Sequence, residues 1–257
     1  MNLYQLRKNA FTDHMVIKII FENHIIFFIN FMTTLRDWMV VDQNLIKLKL
    51  FIEKQLELGF KYNIVFCLVE SKQVIKNNVC LTMDPPTFLR NNFPNLPMKC
   101  IPYNDTIYSM NSIILGSVDY IKTLETNLHF KFDSESKNRS FPIFALNNQE
   151  FIFGHIYFPR SENDIDTKIK HLRLINEYAV KNNAVAFGDG NISVYNKEES
   201  IKIISNNLHL TSGKTFFGTT RDKYANQNIK SIEDMSFLDF VVSPFKDKLE
   251  ISIIEPI

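Results

Sequence analysis

Short apolar runs, each closed by a polar or turn residue, recur along the whole chain. Those at 15–21, 24–31, 63–69, 107–115, 142–146, 150–157, 183–187, 237–242 and 248–254 are rich in β-branched and aromatic side chains and predict strands. Between some of them the period lengthens to that of a helix. In "DQNLIKLKLFIEKQLELGF" Leu45, Leu48, Ile52 and Leu56 share one face, and Gly59 supplies a stop. In "SENDIDTKIKHLRLINEYAV" the face is Ile165, Ile169, Leu172 and Ile175, and Ser161 and Asp164 have capping-box spacing. Asn196 and Glu199 repeat that spacing before "ESIKIIS". Strands and helices do not alternate strictly, so a pure Rossmann or TIM arrangement is disfavoured, and mixed sheets with helices outside are expected. Residues 83–106 hold five of the nine prolines and predict an irregular surface segment. No repeat, low-complexity linker or clear boundary divides the chain. One domain over 1–257 is expected, with 1–23 set apart as an N-terminal extension.

The apolar run "MVIKIIFENHIIFFINFM" (15–32) is interrupted by Lys18, Glu22, Asn23 and His24. Neither half approaches the roughly 18–20 apolar residues of a membrane span, and no signal-peptide pattern is present. Two β segments parted at Glu22-Asn23-His24 are expected, with no transmembrane segment and an intracellular, cytoplasmic location. At 45% hydrophobic and 22% charged the chain is globular in composition. Its formal charge of +1 supplies no overall field for a polyanion, so any such partner needs a local patch. The cysteines, Cys67, Cys80 and Cys100, are odd in number and lack metal-ligand spacing, which argues against a disulfide framework.

Candidate chemistry sits where the strands stop. "NNAVAFGDGN" places Asp189 between Gly188 and Gly190 and then presents Asn191; plain turn chemistry accounts for this stretch as well as a site does. "HIIFFIN" runs into Asn30, and "NIVFCLVE" into Glu70. "FIFGHIYFP" puts His155 and Tyr157 on one strand face, because alternate residues point the same way. "SFLDFVVSP" holds Asp239 inside an apolar run, where a carboxylate is costly unless paired, hydrogen-bonded or metal-bound. Each of these has an ordinary structural explanation; their order along the chain is what gives them weight.

That order resembles the endonuclease/exonuclease/phosphatase superfamily with its DNase I-like fold. The superfamily's first strand ends in Asn, as "FFINFMTT" does, and a later apolar strand closes on a metal-binding Glu, as in "NIVFCLVES". Its GDxN motif matches "GDGN", its late aspartate-bearing strand matches "FLDFVVSP", and "MNSIILGS" and "KTFFGTT" resemble its central strand and its Thr-Phe/Trp loop. The likeness runs over residues 24–257. It implies a four-layer α/β/β/α sandwich of two mixed, mainly antiparallel sheets, and hydrolysis of phosphodiester or phosphomonoester bonds with Mg²⁺, or Mn²⁺ in its place. On this resemblance Glu70 and Asn30 hold the metal, and Asp189 orients or deprotonates water. Asn191 and either His155 or Tyr157 contact phosphate, and Asp239 supports them. The partner is then a phosphate-bearing substrate met by a monomer, with nucleic acid among the candidates. The mixed basic and aromatic segment "KTFFGTTRDKY" offers Lys214 and Arg221 to it, although a solvated loop explains that segment equally well.

The superfamily's last motif is Ser-Asp-His followed by a short apolar strand, its His contacting the scissile phosphate. All six histidines (14, 24, 129, 155, 171, 209) precede Asp239. Either the sequence stops before the motif, or "SIIEPI" takes its place with Ser252 kept and Ile253 and Ile254 in the polar positions. Both leave the site incomplete, so an inactive or weakened homologue acting as a binding or regulatory module is the alternative to a phosphodiesterase.

Overall fold

The computed structural model describes residues 11–12, 14, 16–31, 38–71, 75–76, 79–80, 82–104, 109–128, 137–156, 165–190, 209–210, 239–243 and 248–257. In chain order the elements are β1 (Val16–Phe21), β2 (His24–Asn30), α1 (Trp38–Leu56), β3 (Asn63–Ser71), β4 (Ile75–Lys76), β5 (Val79–Cys80) and α2 (Pro85–Asn92). There follow β6 (Met98–Asn104), β7 (Ser109–Leu115), β8 (Ile121–Leu128), β9 (Lys137–Leu146), β10 (Gln149–His155) and α3 (Ile165–Asn182). β11 (Val185–Asp189), β12 (His209–Leu210), β13 (Asp239–Ser243) and β14 (Leu249–Ile254) complete the series.

Two sheets carry the fold, ordered β14-β1-β2-β3-β7-β6 and β12-β13-β11-β10-β9-β8. β2 and β3 pair in parallel, as do β10 and β11, and the other pairings are antiparallel. Each parallel pair is joined through a helix, α1 in the first sheet and α3 in the second, because parallel neighbours need a crossover. The strands are apolar on both faces and the core is stratified accordingly. Ile25, Phe27, Ile29, Phe66 and Leu68 face Leu45, Leu48, Phe51 and Ile52 of α1. Ile26, Phe28, Val65, Cys67, Phe151, Phe153, Phe187 and Val241 fill the space between the sheets. Ile152, Ala186, Phe240 and Val242 meet Leu172, Ile175 and Ala179 of α3. The result is the expected four-layer α/β/β/α sandwich.

The run 15–32 is a hairpin, β1 and β2 joined at exposed Glu22 and Asn23, with Glu22 in the left-handed region at φ 53°. β1, drawn from the stretch set apart as an extension, is an interior strand between β14 and β2. No described helix is long and apolar enough to cross a membrane. The proline-rich segment is more regular than expected. Pro85 and Pro86 occupy the first turn of α2, where a missing N–H costs nothing, and Asp84 caps that turn by accepting from Thr87 N at 3.1 Å. Pro102 lies in β6, an edge strand, where no second neighbour needs its N–H. The predicted caps at Ser161, Asp164 and Asn196 lie outside the described residues.

Candidate active site

The carboxyl ends of the two parallel pairs converge, and strand parity decides what they present. In β2 the inward residues are Ile26 and Phe28, so Asn30 follows them inward. In β10, Phe151 and Phe153 point inward and His155 continues the series; in β11, Val185 and Phe187 lead to Asp189. In β13, Val241 faces inward, and so does Asp239, directly opposite Asp189. All four side chains are buried, with relative exposures of 0% for Asn30, 3% for His155, 1% for Asp189 and 0% for Asp239.

Glu70 breaks the parity. Ile64, Phe66 and Leu68 of the same strand face α1, so a regular β3 would send Glu70 outward. Instead the β3–β7 register shifts between Leu68 and Ser71, and Glu70 adopts φ 55°. A bulge with a left-handed residue re-aims the side chain. The Glu70 N–H, displaced from the ladder, donates to the Tyr103 hydroxyl at 2.9 Å. Glu70 Oε1 then lies 3.2 Å from His155 Nε2, on the opposite sheet.

The groups interlock. Asn30 Nδ2 donates to Asp189 Oδ2 at 2.8 Å, and His155 Nε2 is 3.9 Å from the same oxygen. Asn30 Oδ1 is buried without a hydrogen-bond partner among the described residues. Ligand atoms of Glu70, His155 and Asp189 lie within 4.8 Å of one another, and those of His14, Asp189 and Asp239 form a second such group. Three carboxylates and two imidazoles are thus gathered out of water, a concentration of negative charge that a cation would offset. Oxygen donors of this kind are what a hard divalent ion accepts, and the group of Glu70, His155 and Asp189 could hold one.

His14 escaped the sequence reading. It stands before β1, 1% exposed, with Nδ1 3.0 Å from Asp239 Oδ2. Its signal was the triplet Thr12-Asp13-His14 ahead of an apolar strand, at the opposite end of the chain from where the motif was sought. Ser252 lies within β14 opposite Lys18, in an edge strand of the first sheet. Tyr157, Asn191, Lys214 and Arg221 lie outside the described residues.

Gly188 and Asp189 belong to β11 rather than to a turn. A Cβ at Gly188 would stand 2.1 Å from the Gly154 carbonyl oxygen of the paired strand. Glycine there is a requirement of close backbone approach, one residue before the Asp189–His155 pair.

The geometry is that of two packed sheets, flanked by helices, with an Asn, a Glu, a His and two Asp gathered where the parallel pairs end. No protein-family model matches the chain, and no curated protein matches its sequence. Among solved structures it is similar to an endonuclease/exonuclease/phosphatase family protein from Leptotrichia buccalis, at 13% identity over 86% of this chain and 87% of that one, with a TM-score of 0.50. It is also similar to a humanized D. rerio TDP2 (13% identity, 86% and 84% covered, TM-score 0.47) and to a Bacteroides thetaiotaomicron mannosyl-6-phosphatase (12% identity, 78% of each chain covered, TM-score 0.46). The chain has the DNase I-like fold of the endonuclease/exonuclease/phosphatase superfamily.

Proposed function

We propose that this protein is a divalent-metal-dependent phosphoester hydrolase, acting on phosphodiesters, with nucleic acid as a candidate substrate. The observation that carries the reading is the convergence of Asn30, Glu70, His155 and Asp189 from two different sheets onto one buried spot, with a backbone bulge dedicated to turning Glu70 into it. A core that needed only stability would keep β3 regular and place an apolar residue there.

Glu70 and Asn30 Oδ1 would hold the cation, which supplies charge stabilisation at the phosphoryl and leaving oxygens. Asp189, oriented by the Asn30 amide, takes a proton from the attacking water as the water oxygen bonds to phosphorus; the ester P–O bond breaks, and the departing alkoxide takes up a proton from solvent. His155 donates to a phosphate oxygen as charge develops there. Asn191, two residues beyond Asp189, adds a further donor. Lys214 and Arg221 supply the local positive charge that a nucleic-acid backbone requires, since the chain as a whole offers only +1.

The test is a panel of DNA, RNA, phospholipid, inositol phosphate and bis(p-nitrophenyl) phosphate, assayed with Mg²⁺, with Mn²⁺ and with chelator. Turnover that needs the metal and is lost in Glu70→Gln supports the reading. Turnover untouched by chelator or by Glu70→Gln would place the chemistry elsewhere, and no turnover of any substrate would favour a binding module.

A further inference from the structure

We propose that Thr12-Asp13-His14, with β1 behind it, is the superfamily's terminal Ser-Asp-His motif carried at the head of the sequence. The chain is then circularly permuted, and His14, positioned by Asp239, is the imidazole that faces the scissile phosphate. The proposal rests on the phosphoesterase reading above for its chemistry, though not for its topology.

Four observations carry it. The first is the sequence itself: a hydroxyl residue, an acid and an imidazole, one intervening Met, then the apolar strand Val16–Phe21. The second is the placement of that strand. β1 runs antiparallel to β2, so its head lies beside the tail of β2, where Asn30 is presented. Thr12 ties the two together, its Oγ1 donating to Asn30 O at 2.6 Å and accepting from His14 N at 3.3 Å.

The third is the His14–Asp239 pair. A buried carboxylate 3.0 Å from Nδ1 orients the imidazole, and on this proposal Nε2 is the nitrogen that donates to a phosphate oxygen. The ligand atoms of His14, Asp189 and Asp239 lie within 4.8 Å of one another, so this imidazole belongs to the same cluster as the proposed base. The fourth is continuity. Phe11 N donates to Pro256 O at 3.1 Å, so the backbone entering β1 touches the backbone leaving β14. β14 and β1 are already neighbours in the sheet. A peptide link there, with a break at the exposed Glu22-Asn23 turn, would place Thr12-Asp13-His14 and β1 after Asp239 and β14 without moving a strand. The two orders differ in connectivity alone.

This removes the ground for expecting an incomplete site. The motif expected after Asp239 is supplied from before Asn30.

Two variants and one reordered chain test the proposal on bis(p-nitrophenyl) phosphate with Mg²⁺. His14→Asn retains an amide N–H near the Nδ1 position, able to meet Asp239, and removes the nitrogen facing the phosphate. A tether role predicts wild-type turnover in this variant. The catalytic role predicts a fall in kcat of about 10²-fold or more, with KM little changed and the melting temperature near wild type. Asp239→Asn should lower kcat less, and the double variant should be no worse than His14→Asn, because the two act as one unit. In the reordered chain, residues 1–22 follow Ile257 and the chain starts at Asn23. It should melt cooperatively within about 5 °C of the native order and keep its dependence on His14. His14→Asn with kcat within about twofold of wild type overturns the catalytic role while leaving the phosphoesterase reading intact. Silence of the wild type on every substrate is failure of the phosphoesterase reading. The permutation is then judged by the reordered chain alone, which supports it by folding and overturns it by failing to fold.

Discussion

Gly188→Ala tests the geometry beneath the site without touching a reacting group. The added Cβ would sit 2.1 Å from Gly154 O, 3.1 Å from Gly154 C and 3.2 Å from Gly154 N. All three are backbone atoms of the parallel partner strand, so no side chain can swing aside. Ordinary contact requires roughly 1 Å of separation between β10 and β11 at this pair, and such overpacking costs about 1–3 kcal/mol, occasionally more. At about 2–4 °C per kcal/mol for a chain of this size, the melting temperature should fall by about 2–12 °C. The same shift moves Asp189 relative to His155, the next pair in register, and a displacement near 1 Å at a reacting geometry costs about 10²-fold in rate. Gly59→Ala is the matched control: nothing lies within 4 Å of its added Cβ, so stability should hold or rise by about 0.4–1 kcal/mol. Thermal melts of both variants, with turnover measured on the same samples, decide the matter. Gly188→Ala melting within about 1 °C of wild type with full activity would refute the close approach of β10 and β11 on which the site rests.

Glu70→Gly should separate stability from function: it relieves a left-handed non-glycine residue worth about 1 kcal/mol, so melting in chelator stays at or above wild type while metal-dependent turnover disappears. Phe187, stacked 5.7 Å from Phe153 and edge-on to Phe28 at 5.7 Å, floors the cluster, and Phe187→Ala should cost about 3–5 kcal/mol by denaturant unfolding. Burial alone would raise the Glu150 carboxyl, but hydrogen bonds from Lys122, Tyr120 and Tyr178 outweigh it and hold the group below its ordinary value. Its stabilising contribution is therefore present above the usual glutamate pKa and lost as pH falls through the folded value. The melting difference between wild type and Glu150→Gln should shrink from pH 7 into that acid range, and a difference that stayed constant would contradict the assigned network.

The central strands were legible because they are short apolar runs buried on both faces, and parity carried Asn30, His155, Asp189 and Asp239 to the inner face. The stripes of α1 and α3 were equally plain. What escaped has identifiable causes. β8 is an edge strand of mixed polarity, "IKTLETNL", with too little apolar alternation to stand out. α2 was hidden by prolines that serve as its first turn. Glu70 was found by its place at a strand end, yet its direction depends on a bulge that no local pattern announces. Gly188 read as turn chemistry because the backbone it must clear, Gly154, is distant in sequence. His14 and Asp239 are 225 positions apart and meet only through the order of strands in the sheets. Connectivity is the one property of this fold that a motif read in the customary order misplaces.

The most direct measurement is the initial rate of bis(p-nitrophenyl) phosphate hydrolysis, wild type beside Asp189→Asn, with saturating Mn²⁺ and with chelator. Asp189 is the residue shared by both groups of cation-capable side chains, and the amide preserves its shape. The account predicts turnover by the wild type with metal alone, and a loss of about 10²–10⁴-fold in Asp189→Asn, the range of general-base catalysis. Equal rates for the two proteins, or a wild-type rate that persists in chelator, would contradict it.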